Sequence, residues 1–74
     1  MNRSMVILAG HPRQRRRTVY LKDGGQPIAY AQKTSRGEKY EWKLLGFNEK
    51  WHANATSWSN AVERILIELN GGHR

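Results

Sequence analysis

Apolar and polar positions alternate with a period of two along most of this chain and change to a helical period only near its end. Thr18, Val19, Tyr20, Leu21 and Lys22 have the composition of a strand. Asp23, Gly24, Gly25 and Gln26 follow, supplying the positive φ angles that a tight hairpin needs. Pro27 suits only the first position of the next strand, which continues through Lys33. Within it Ile28 and Tyr30 share one face, read as inward, and Ala29 and Ala31 share the other. A turn containing Gly37 leads to the cleanest alternation, with Tyr40, Trp42 and Leu44 on one side and Lys39, Glu41 and Lys43 on the other. That is the pattern of an antiparallel strand with one wet face. After a break at Leu45, Gly46 and Phe47 and a turn at residues 48–50, residues 51–55 alternate again, with Trp51, Ala53 and Ala55 inward.

Two segments depart from this period. Met5, Val6, Ile7, Leu8 and Ala9 form an unbroken apolar run, ended by Gly10, His11 and Pro12. Its β-branched residues favour a strand over a helical turn. Near the end, Trp58, Ala61, Val62, Ile65, Leu66 and Leu69 fall at offsets 0, 3, 4, 7, 8 and 11, an amphipathic helix throughout. Thr56 or Ser57 can cap it, and Asn70, Gly71 and Gly72 end it. The expected fold is a single small α+β domain of two layers over residues 1–74. A three- or four-stranded antiparallel sheet, with a candidate extra N-terminal strand, is packed by one C-terminal helix at residues 57–69.

Charge adds what periodicity leaves out. The net charge is +7, and residues 1–22 hold six basic residues and no acid, whereas residues 23–74 hold seven basic against six acidic residues. Most of the excess lies at residues 11–17, where Arg13, Arg15, Arg16 and Arg17 place four arginines within five positions. This basic segment reads as a loop if residues 5–9 join the sheet, and as a flexible arm if they do not. A one-signed segment on a near-neutral body is suited to a polyanion. The longest apolar run has five residues, far below a membrane span of about 20. With no secretion-type leader and no Cys, the expectation is a cytosolic protein without disulfides.

Arginine neutralises phosphates and makes bidentate contacts with phosphate and guanine edges. The candidate binding residues are therefore Arg13, Arg15, Arg16 and Arg17, joined by Lys22, Lys33, Arg36, Lys39 and Lys43 on the sheet and its turns. Lysines also protect sheet edges, and Glu41 sits among them, so the sheet face reads first as an ordinary solvated one. Of the aromatic residues only Tyr20, out of phase with Val19 and Leu21, is expected outside. Ile67, on the wet side of the helix, is a candidate contact for a second copy or another protein. His11, His52 and His73 have no ligand spacing, and no metal, cofactor or catalytic residue is expected. The remaining catalytic option, a small ribonuclease using His52, has a packed or surface histidine as its alternative.

The order strand–strand–strand–helix over residues 18–69, with the stretch Trp42, Lys43, Leu44, Leu45, Gly46 and Phe47 similar to a tryptophan-bearing strand, resembles two groups. They are the three-stranded-sheet DNA-binding domains of integrases and the plant AP2 domains. The resemblance is one of element order, implies a sheet that faces DNA, and transfers no individual residue. The expected function is that of a small non-enzymatic nucleic-acid-binding protein, DNA favoured over RNA, docking through the arginines and sheet lysines. The alternative is an inhibitor or adaptor of mobile-element type, such as a phage-encoded inhibitor of a nucleic-acid-processing complex. It would use the same charges on an acidic protein surface.

Overall fold

A computed structural model of the chain describes residues 2–34, 39–46 and 49–71. After a single 3-10 turn at Arg3–Met5 come β1 (Val6–Leu8), β2 (Arg16–Leu21), β3 (Pro27–Lys33), β4 (Tyr40–Leu44), β5 (His52–Ala55) and α1 (Trp58–Leu69). The strands form one antiparallel sheet in the order β1-β2-β3-β4-β5, with α1 packed on one face. The domain is α+β and two-layered as expected, but the sheet has five strands instead of three or four. The candidate N-terminal strand supplies the fifth, because Val6, Ile7 and Leu8 pair with Leu21, Tyr20 and Val19. No helix among the described residues is long and apolar enough to cross a membrane. The turn around Gly37 with Arg36, the Phe47–Asn48 positions, and Gly72 and His73 lie outside the described residues.

The hairpin between β2 and β3 forms through Gly24 and Gly25, at φ +86° and +61°, and closes with Leu21 N–H donating to the Gln26 carbonyl. Ser57 caps α1, its hydroxyl accepting from the Asn60 amide, while the Asn60 side chain accepts from the Thr56 amide. These reciprocal bonds satisfy donors that a helix start leaves open. Gly71, at φ +104°, follows the Asn70 cap at the other end.

The core lies between the layers. The sheet contributes Val6, Val19, Ala29, Ala31, Trp42 and Ala55, and the helix Ala61, Val62, Ile65 and Leu66. Two irregularities decide which residues join it. Val19 pairs with Ala29 while Tyr20 pairs with Pro27, which leaves Ile28 as one extra residue in β3. Ile28 packs against the core beside the buried alanines, and Tyr30 turns to the other face. In β5, Tyr40 pairs with Ala55 but Trp42 pairs with His52, so β5 spans the same length with one more residue. A bulge of this kind inverts the alternation beyond it. His52 then stacks on Trp42, with ring centroids 4.3 Å apart, and Ala53 is exposed. The expectation that Tyr30, Trp51 and Ala53 point inward is therefore incorrect for all three; the bulges are the reason.

Candidate functional site

With α1 on one side, the opposite sheet face has no described element upon it. Strand register arranges its side chains in ranks. Tyr30 of β3 lies between Thr18 of β2 and Lys43 of β4, and Gln32 lies between Arg16 and Glu41. Trp51 enters just ahead of β5. The Arg16 guanidinium carbon is 5.7 Å from the Tyr30 ring centroid and 5.5 Å from that of Trp51. Lys43 Nζ lies 5.1 Å from the Trp51 ring. Tyr20 and its cross-strand neighbour Ile7, 44% exposed, extend the face towards β1.

The polar residues of this face orient Arg16. Arg16 Nε donates to Gln32 Oε1 at 3.2 Å, and Gln32 Nε2 donates to Glu41 Oε1 at 2.7 Å. Glu41, the acid in the middle of the face, thus binds the amide that orients Arg16 and makes no direct contact with the guanidinium. Each exposed cation–ring contact stabilises by only about 0.5–1 kcal/mol, so a stronger anion can draw the cation away. The face combines positive charge with flat aromatic surface.

The basic segment is a loop fastened to the fold. Arg16 and Arg17 begin β2, and the backbone pairing reaches Arg15, whose carbonyl accepts from Lys33 N–H. Arg17 points to the helix side. Its Nε donates to the Ala9 carbonyl at 3.2 Å, and Nη2 donates to the carbonyls of Leu8 and Gly10 at 3.2 and 2.9 Å. The guanidinium also lies 5.0 Å from the Trp58 ring centroid. Burial lowers the Arg17 pKa from its ordinary value. Trp58 indole N–H donates to the Pro12 carbonyl at 3.1 Å, tying the loop to the helix start. Gly10 adopts φ +92°, and any Cβ there would lie 2.5 Å from Gln14 Oε1, which accepts from His11 N–H.

The remaining candidates divide by position. Arg13 and Arg15 are exposed on the loop, and Arg15 Nε reaches the Lys33 carbonyl at 3.4 Å. Lys39 is exposed at the same end of the sheet, its carbonyl accepting from Thr34 N–H. Lys33 faces the helix side, with Nζ 5.9 Å from Trp58, so it does not belong to the outer face as expected. Lys22 follows the last residue of β2 and sits at the opposite end from Arg16, about 20 Å along the strand. Arg36 lies outside the described residues. Ile67, 48% exposed, lines a shallow groove between α1 and β5 with Trp42, His52 and Asn54. Among the described residues no cluster of His, Asp or Glu is arranged to hold a metal ion.

Tyr30 and Trp51 were missed as members of this face. For Tyr30 no local signal existed, since counting back from the closure at Leu21 and Gln26 sets Val19 opposite Ile28 unless the extra residue in β3 is known. For Trp51 none existed, since its position depends on the bulge in β5. No family model matches the chain, and neither a curated protein nor a solved structure matches it.

Proposed function

We propose that the protein binds nucleic acid, without catalysing a reaction, through the outer sheet face and the adjoining arginine loop. The observation that carries this reading is the grouping of Arg16 and Lys43 around Tyr30 and Trp51, with Arg13 and Arg15 exposed on the loop that leads into β2. Phosphates require the cations, and bases offer rings a surface to stack on. A protein partner could also use both, since aromatic residues are common interface anchors; nucleic acid is favoured because each nucleotide carries a phosphate and a flat base together. Arg17 and Lys33 take no direct part, because both are turned towards Trp58.

Binding should be strongly salt-dependent. Engaging Arg13, Arg15, Arg16 and Lys43 releases counterions, giving a plot of log affinity against log salt with a slope of about −3 to −4. Titration of a labelled oligonucleotide between low and moderate salt reads this slope. Replacing the four residues together with alanine should flatten it to about −1 or less and leave the circular dichroism spectrum unchanged. Affinity weaker than millimolar at low salt, for single strands and duplexes alike, would remove the proposal.

A further inference from the structure

We infer that the outer face takes single-stranded nucleic acid in preference to duplex, with bases stacked on Trp51 and Tyr30. This rests on the nucleic-acid reading above and specifies the form of the ligand. The rings lie two strand positions apart across the sheet, β3 to the start of β5, roughly 10 Å at ordinary strand spacing. Tyr20 stands on β2 near them, one rank away from Thr18 and Tyr30. A duplex keeps its base planes stacked inside and offers a flat protein face only phosphates and groove edges. Aromatic rings at the middle of such a face would then meet base edges at most and no base plane to stack on. A single strand presents both groups at once, and its bases can be splayed onto rings while its phosphates meet the cations.

The cation placement fits an exchange. In the free protein Arg16 covers Tyr30 and Trp51, and Lys43 also covers Trp51. An arriving phosphate attracts each cation more strongly than a ring quadrupole does, and the uncovered ring accepts a base. Arg16 remains tied to Gln32 and so stays beside the ring it vacates. The Gln32 amide is engaged by Arg16 and Glu41, each end keeping one further hydrogen-bonding position. Stacking tolerates any base because every base has a π face, and phosphates are common to both sugars. The expected ligand is therefore a flexible single strand, with little preference for base or sugar.

The test is equilibrium binding, by fluorescence anisotropy, of a labelled 15-residue oligodeoxythymidylate, the matching oligouridylate and a 15-base-pair duplex. At moderate salt both single strands should bind at least tenfold tighter than the duplex and within tenfold of each other. Trp51→Ala should weaken single-strand binding about 10- to 100-fold and duplex binding less than threefold. Trp51→Phe should restore most of the loss, and Tyr30→Leu gives a second reading should Trp51→Ala not fold. Duplex binding equal to or tighter than single-strand binding would overturn the inference and leave the broader proposal standing. So would equal weakening of both ligands in the Trp51 and Tyr30 variants. A preference above 100-fold for one sugar would overturn the claim of indifference. Absence of binding to all three probes at low salt would remove the broader proposal itself.

Discussion

Ile65→Ala is expected to cost about 2–5 kcal/mol and to leave the protein at the margin of folding. Ile65 is fully buried and is the largest of the fully buried side chains, with Val19 and Val62 next. It sits on the helix stripe that meets the sheet, where Ala29 and Ala31 are themselves fully buried. Alanines allow the helix to seat closely, but they cannot move to fill a cavity left opposite them. A domain of 74 residues has a total stability of about 4–11 kcal/mol, so this single truncation removes a large fraction of it. Urea titration followed by circular dichroism checks the size of the effect. Ile65→Val, which removes one methylene, should cost only about 0.5–1.5 kcal/mol. A loss below 1 kcal/mol in Ile65→Ala would mean that α1 is not seated on the sheet as described.

The second large effect separates two adjacent arginines. Arg17→Ala should destabilise the fold by about 1–3 kcal/mol, since it removes charge-assisted hydrogen bonds to the partly buried Leu8 and Ala9 carbonyls and to the exposed Gly10 carbonyl. It also removes the contact with Trp58, which carries the loop through the Pro12 carbonyl. Lysine at position 17 should not rescue, because a point charge cannot span the three acceptors that a planar guanidinium reaches. Arg16→Ala should change stability by less than about 1 kcal/mol, its exposed contacts being with Gln32 and two surface rings. The expected outcome is thus reciprocal: position 17 governs the urea midpoint, and position 16 governs affinity for nucleic acid under the proposed function. An unchanged midpoint in Arg17→Ala would show that the loop is held by other means.

The legible parts of the fold were those fixed by local chemistry. The helix from Trp58 to Leu69 follows from apolar spacing, the Ser57 cap and the terminal glycine. The β2–β3 hairpin follows from Gly24 and Gly25, and β4 from its alternation. The five-residue apolar run joins the sheet because β2 offers it a partner, which no local signal decides. The arginine cluster was visible as charge, but the direction of each member was not. Arg16 and Arg17 are neighbours in a strand, so they project to opposite faces and acquire opposite roles. The aromatic half of the outer face depends on two single-residue insertions in the pairing, at Ile28 and within β5. Such insertions lie beyond the reach of a periodicity count.

The fastening of the arginine loop has a consequence for how quickly and how strongly it can engage a partner. Ordering a free backbone costs about 1–2 kcal/mol per residue, and an unstructured basic arm would meet that cost on each encounter. Here Arg17, Trp58 and the Gln14–His11 bonds have already met it during folding. Under the proposed function, a polyanion arriving at Arg13 and Arg15 meets a loop backbone that is already ordered, and only the side chains and the ligand remain to be arranged.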